Sequence, residues 1–373
     1  MQEEIRFATF NVCNLAPPGV KLYDNLEPLT LDAYEAKANW IAQQLDQLDA
    51  DVIGFQEIFS QAALRDVLSR TRRYRDALHA GFDPDPNAQR LTPNVAIVSR
   101  LPFAAPPSVH ASFPADVPCD SGSPESDRFA RAPLHVQVVL PGERIVDVVV
   151  VHLKSRRPDY RNGDSGEDPL HYAMASLRSL VWRGTEAVAL RVLLSKMMRE
   201  GRRPCVVLGD FNDTADAVTT TIVLGTGGTR NLAGKVDSRD LAGKVDSRDL
   251  AGKADTRGLA GNDSTRAMAG DGGSRGTDGQ GGHGVQAEER RGRLYDSNQI
   301  QLRQDHLRHV GYTSIHEGHY STIDHVLVSE EFNRNSPRAI GEVVDVSYFN
   351  DHLRLERPEA SDHGQVLVRM RLF

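Results

Sequence analysis

Cysteine is scarce in this 373-residue chain: Cys13, Cys119 and Cys205 are odd in number and unclustered. That argues against a disulfide framework and against a thiolate zinc site, and it leaves Cys205, in an apolar run, and Cys13, just beyond one, as buried free thiols. Long hydrophobic runs are absent too. No stretch could span a bilayer, and MQEEIRFATFN enters a strand without a basic n-region or an apolar h-region. With Met1 as the true start, a soluble cytoplasmic protein is expected. There is no excess of positive charge: the formal net charge is −7, which argues against a protein that coats nucleic acid generally but allows a locally basic cleft. Apolar residues make up only 39%, low for one compact globule, so part of the chain is expected to pack poorly.

That part lies at 225–291. LAGKVDSRD occurs twice in tandem from Leu232 and then decays through LAGKADTRG and LAGNDSTRA; Gly234, Gly243, Gly252 and Gly261 recur every nine residues. A calcium-binding nonapeptide roll needs paired glycines in each repeat, and these copies have single ones. The expectation is a disordered, charge-balanced insertion that interrupts one domain covering the rest of 1–373.

The ordered remainder alternates strands and helices. Ile5 to Phe10 reads as a strand ending at Asn11, Ala33 to Leu48 as an amphipathic helix, and Val52 to Phe55 as a strand delivering Gln56 and Glu57. Gln61 to Arg70 is a second helix and Asn94 to Ser99 a strand. A hairpin spans Leu134 to Leu140 and Ile145 to Val151, followed by His152, Lys154 and a basic run of Arg156, Arg157 and Arg161. The longest helical pattern, about Leu170 to Arg199, carries Leu177, Leu180, Val181, Ala187, Leu190 and Leu194 along one stripe. It leads into Cys205 to Leu208 and then Gly209-Asp210-Phe211-Asn212-Asp213. Later come Thr322 to Val328 with Asp324 at its front, a strand at Val343 to Val346, and Ser361-Asp362-His363-Gly364 before the final strand, Gln365 to Leu372.

FATFN, VIGFQE, VVVVHLK and CVVLGDFN each run apolar and finish on a chemically capable group, so their carboxyl ends present Asn11, Glu57, His152, Asp210 and Asn212. Asp324 and the Asp362-His363 pair instead lead into their strands. For all of them to gather at one rim, the late strands must run opposite to the early ones, which implies mixed sheets. Carboxylates, carboxamides and histidines without thiolates suit a hard cation, Mg²⁺ or Mn²⁺, and phosphoryl chemistry is its natural partner.

With FNVCN, GFQEIF, VHLKS, GDFND, STIDHVLVS and SDHG in that order, the chain resembles the endonuclease/exonuclease/phosphatase superfamily, the deoxyribonuclease I-like fold, and its bacterial nucleases and general phosphodiesterases most. The resemblance implies a four-layer α/β/β/α sandwich of two mixed β-sheets. It implies that Glu57 is the principal metal ligand, with Asn11 and Asp362 closing the shell directly or through water. Asp210 would activate the attacking water while Asn212 holds a phosphate oxygen. His363, oriented by Asp324, would contact the scissile phosphate, and His152 would flank it. Arg131 and Lys154 would bind substrate phosphate. The implied activity is divalent-metal-dependent phosphodiester hydrolysis, foremost of nucleic acid, by in-line attack of water. The same site on the same fold could instead serve a phosphatase or a lipid-headgroup phosphodiesterase. A dinuclear metallophosphatase would need an earlier Asp-x-His and a later Asn-His-acid run, and neither is present. No obligate protein partner is indicated, though a scaffold whose repeat segment binds a partner is a fourth reading. Asp213, His316, His319 and His325 are left as structural or unassigned.

Overall fold

A computed structural model describes residues 3–85, 91–117, 127–161, 163–225, 292–302, 311–355 and 357–373. The repeat segment and Cys119 lie outside these residues. In chain order, β1 (Glu4–Leu15) leads through α1 (Leu31–Leu48) to β2 (Val52–Ile58), and α2 (Gln61–Arg70) leads to β3 (Leu78–Gly81) and β4 (Asn94–Ser99). β5 (Ser108–Val109), β6 (Leu134–Val139) and β7 (Ile145–His152) follow, then α3 (Pro169–Gly201), β8 (Cys205–Asp210) and α4 (Val218–Leu224). The last third holds β9 (Leu294–Asp296), the single turn α5 (Ser297–Ile300) and the hairpin β10 (Ser314–His316) and β11 (His319–Ser321). It ends with β12 (Asp324–Ser329), β13 (Gly341–Phe349) and β14 (Gln365–Leu372).

Two six-stranded sheets form, in the orders β13-β14-β1-β2-β4-β3 and β5-β6-β7-β8-β12-β9. β1 is parallel to β2 and β7 to β8, whereas β14 runs antiparallel to β1 and β12 antiparallel to β8. Both sheets are therefore mixed, and the reversal of the late strands expected from their leading acids is present. Side chains alternate across a strand, which sorts the strands' apolar residues into three cores, apart from a small cluster of Ala16, Leu22 and Phe59. Ile5 and Phe7 of β1 meet Val148, Val150, Val206 and Leu208 between the sheets. Ala8 and Phe10 face the other way, onto Trp40, Ile41 and Leu45 of α1 and Leu64 and Val67 of α2. Val149, Val151 and Val207 pack on Ala187, Leu190 and Leu194 of α3 and Val223 of α4. The result is an α/β/β/α sandwich. The sheets approach closely at Gly54, where a Cβ would lie 2.9 Å from the Leu208 Cβ.

Capping explains where the shorter helices begin. Thr30 and Ser60 accept hydrogen bonds from the amides of Ala33 and Ala63, three residues into α1 and α2. α3 differs from its expected pattern. Ala187, Leu190 and Leu194 are buried, but Leu177, Leu180 and Val181 are 52%, 51% and 59% exposed. The cause is length: 33 residues run about 50 Å, about twice the span of the eight residues of β7, so the first half of α3 projects past the sheet. β3, of sequence LHAG, carries no strand pattern of its own. No helix among the described residues is long and apolar enough to cross a membrane.

Candidate active site

The carboxyl ends of β1, β2, β7 and β8 share one rim, and the starts of β12 and β14 return to it from the opposite direction. Register places Asp324 opposite Asp210 and His152 beside Asp210. The chain leaves regular strand geometry here: β1 and β2 shift register between Asn11 and Leu15, and β2 and β4 between Phe55 and Ile58. Cys13, Asn14, Glu57 and Asn212 all have left-handed backbones, with φ of 53°, 60°, 63° and 53°. Non-glycine residues adopt that conformation at a cost, and such outliers cluster where a side chain must be re-aimed.

Asp210 is at the centre. One carboxylate oxygen accepts the Asn212 amide N–H (2.8 Å); the other accepts Asn11 Nδ2 (3.1 Å) and lies 3.4 Å from His152 Nε2 and 3.8 Å from His363 Nε2. Burial and the neighbouring Asp324 push its pKa up to about 7. His363 Nδ1 bonds Asp324 Oδ2 at 2.9 Å, and its amide donates to the Ser361 hydroxyl (3.0 Å). Burial pulls the His363 imidazolium down, but Asp324 and Asp210 outweigh it and hold its pKa well above the ordinary histidine value. Burial, Arg131 and His363 all push His152 the other way, so its ring is neutral, and its buried Nδ1 has no partner. Asn212 Nδ2 donates to the Leu153 carbonyl (2.9 Å), which fixes the carboxamide at the rim.

On the other side of Asn11 stands Glu57. Its Oε1 faces Asn11 Nδ2 at 3.3 Å and its Oε2 accepts the Asn14 amide N–H at 3.0 Å. Asn11 Oδ1 is taken by the Cys13 N–H (3.0 Å), which fixes the amide with its NH₂ toward the two acids. In this geometry Asn11 braces Glu57 against Asp210 while its oxygen accepts one bond from the Cys13 amide. Asp362 is exposed and hydrogen-bonds the Cys13 thiol; burial above all, then Asp362 and Glu57, push that thiol's pKa up. The Asn14 Oδ1 is buried and has no partner.

Two groups of donors thus lie side by side. Asp210, Asp324 and His363 bring ligand atoms within 4.8 Å of one another, close enough to hold a metal ion. However, the His363 Nδ1–Asp324 bond and the opposed charges make this triad a proton-carrying chain as it stands. The Glu57 side supplies hard oxygens only: Glu57, Asp362 and the unpartnered Asn14 carbonyl. That set fits a hard divalent cation that keeps several waters.

The cationic candidates separate. Lys154 Nζ donates to the carbonyls of Ser155 and Arg157 (3.2 Å each) and to the Ser179 hydroxyl (3.3 Å), so all three of its N–H groups are engaged within the protein. In this arrangement its ammonium turns toward the protein and not toward the rim. Arg131 spends one N–H on the Leu153 carbonyl (3.3 Å), and its buried Nε has no partner. Arg156 is committed to Asp213 (2.6 Å), as is the buried Arg183 (2.7 Å). Asp213 is therefore structural, and His325, bonded to Asp296 and the Asp213 carbonyl (2.9 Å each), is too. His316 and His319 stand exposed on the β10–β11 hairpin.

Two residues that the sequence reading did not select shape the site. Glu186, fully buried on α3, accepts the amide N–H groups of Ala130 and Lys154 (2.7 Å each), tying the Arg131 segment to the end of β7. A carboxylate breaking the apolar face beside Ala187 was the available signal. Thr313 Oγ1 accepts the amides of Ile323 (3.1 Å) and Asp324 (3.2 Å), which sets the entry to β12. Nothing in the local sequence marks it.

Fold and rim together define a phosphoric ester hydrolase. Residues 8–363 match the Endonuclease/Exonuclease/phosphatase family, and the chain belongs to it. No curated protein matches the sequence. Among solved structures, an endonuclease/exonuclease/phosphatase from Bacteroides vulgatus superposes with a TM-score of 0.53 at 15% identity, covering 100% of both chains. The catalytic domain of human Nocturnin with a bound sulfate anion gives 0.51 at 12%, covering 100% of this chain and 98% of that one. A mannosyl-6-phosphatase from Bacteroides thetaiotaomicron gives 0.50 at 14%, covering 98% and 99%. At such identities the likeness is one of fold.

Proposed function

We propose that the protein is a divalent-metal-dependent phosphodiesterase that acts foremost as a nuclease. The observation that carries this reading is the buried Asp210, raised to about 7, set 3.8 Å from an imidazole that Asp324 keeps protonated, with the acid Glu57 across Asn11. Glu57 and Asp362 would hold Mg²⁺ or Mn²⁺, with Asn14 beside them. Such a cation supplies neutralisation of the charge that develops on the phosphate. Asp210 orients water with its Asn11-facing oxygen and takes the proton; a base with a pKa near 7 is well matched to that at neutral pH. His363 donates its Nε2 proton toward a non-bridging oxygen, because Asp324 secures Nδ1. Asn212 and Arg131 retain N–H groups for the phosphate, and the unpartnered His152 Nδ1 awaits a donor from substrate or water.

Arg157 and Arg161 remain exposed on the loop after His152, where a polyanion can follow the surface, which favours a nucleic acid over a small ester. Plasmid nicking in Mg²⁺, run beside hydrolysis of glucose 6-phosphate and sphingomyelin, tests this. Nicking that outpaces ester turnover supports the nuclease. Rapid ester turnover without nicking moves the same site to the phosphatase or headgroup reading.

A further inference from the structure

The first half of α3 is amphipathic the wrong way round. Its polar side faces the protein: Ser179 Oγ donates to the Ser155 carbonyl (2.9 Å), Arg183 Nε donates to Asp213 (2.7 Å), and Glu186 accepts the Ala130 and Lys154 amides. Leu170, Ala173, Met174, Leu177, Leu180, Val181 and Gly184 share the opposite side at spacings of three and four, which is one stripe of a helix about 21 Å long. The five large ones are each at least half exposed. Every other element of the described residues exposes at most one large apolar side chain, so this stripe is where the fold leaves most apolar surface in water. Gly184 has no reason to be glycine within one chain. Glycine weakens a helix interior relative to alanine, yet a Cβ here would have no atom within 4 Å. A missing side chain on an outward face lets another backbone come close.

Leu170, Met174, Leu177, Val181 and Gly184 follow each other at four, three, four and three residues, the seam along which two helices pack side by side. The stripe carries no charge of either sign, so a second copy laid antiparallel, with Leu177 at the two-fold axis and Leu170 over Gly184, meets it without repulsion. Apolar patches on monomers run to about 300–600 Å². Two such patches together remove about 1,000 Å² from water, the area that a specific interface has to clear. A membrane surface calls instead for lysines and arginines along the flanks of the stripe. Here the flanks are His171, Ser176, Arg178 and Thr185, and Arg178 is engaged by Asp164. We propose that the outward face of α3 from Leu170 to Gly184 is the interface through which two copies of this chain form a two-fold dimer. It stands independently of the hydrolytic reading above.

Sedimentation velocity of the full-length protein, from low to high micromolar concentration, reads the mass in solution. The wild type is compared with Leu177→Glu, which sets two carboxylates at the axis, and with Gly184→Leu, which fills the space a second backbone needs. Leu31→Glu, an exposed apolar position on α1, is the control. The wild type is expected at twice the chain mass, with a dissociation constant that rises about tenfold or more in each of the two α3 variants and does not move in the control. Gly184→Leu meets nothing within its own chain, so its melting temperature at a dilution that keeps every protein monomeric is expected to be no lower than that of the wild type. That separates a lost interface from a lost fold. A wild type that is monomeric at every concentration, or a dimer that survives either α3 variant unchanged, overturns the proposal. So does a monomer that floats with phosphatidylcholine–phosphatidylserine vesicles and loses them in Leu177→Glu, which gives the face to a membrane instead.

Discussion

Asp210 and Asp324 are register partners on the antiparallel strands β8 and β12, two buried carboxylates on one face of the sheet, and His363 touches both of their surroundings at 3.8 and 2.9 Å. Neither acid is placed for stability. Two buried like charges oppose each other, and only an imidazolium between them makes the arrangement tolerable.

From that pairing, Asp324→Asn is expected to leave the fold intact and to lower kcat about 10²- to 10⁴-fold, because His363 loses the partner that holds its proton and its orientation. Turnover of bis(p-nitrophenyl) phosphate beside near-UV circular dichroism checks it. A kcat within twofold of wild type would remove Asp324 from the mechanism.

Glu186 accepts two amide N–H groups, those of Ala130 and Lys154. Glu186→Ala leaves both without their acceptor, at up to about 1–3 kcal/mol each, and loosens the segments carrying Arg131 and His152. Denaturant unfolding should register the loss, and KM for the diester should rise with it. Unchanged stability would show that water takes over the carboxylate's place.

The ends of the chain flanking the repeat segment are held by one side chain: Arg191 of α3 donates to the Val223 carbonyl (3.0 Å) and, through its other terminal nitrogen, to the Gly292 carbonyl. A short Gly-Ser linker joining Gly225 to Gly292 should therefore close without strain. The shortened protein is expected to keep its melting temperature and its turnover. A folded but inactive protein would assign the insertion to the site.

His325 offers a pH signature. Burial lowers its pKa, but the Asp296 carboxylate at 2.9 Å outweighs that and raises it above the ordinary 6.5. The pair's contribution to stability is thus complete below pH 6.5 and is lost as pH rises through the folded-state value. Melting temperature against pH should show that descending step, and Asp296→Asn should flatten it. An identical profile in the variant would exclude the pair as its source.

Much of this was legible in the sequence because the rim residues sit at strand ends, where an apolar run stops on a polar group. FATFN, CVVLGDFN and STIDHVLVS declare both the strand and its direction, so mixed sheets followed from which end carried the acid. What could not be read depends on how individual side chains turn once the strands and loops are in place. Asn11 turns its NH₂, not its oxygen, toward Glu57 because the Cys13 amide claims that oxygen. Lys154 turns onto the carbonyls of Ser155 and Arg157 in its own loop and onto the Ser179 hydroxyl of α3. The exposure of Leu177, Leu180 and Val181 follows from how far the sheet extends, which helical periodicity does not record.

The central claim is that Asp210 activates water for metal-dependent hydrolysis of a phosphodiester. It is tested most directly by initial rates on bis(p-nitrophenyl) phosphate for wild type and Asp210→Asn, each with Mg²⁺ and with EDTA. Hydrolysis by the wild type in Mg²⁺, its abolition by EDTA, and a fall of about 10³-fold or more in the variant are predicted. A rate that survives EDTA, or an Asp210→Asn protein as fast as wild type, would contradict it.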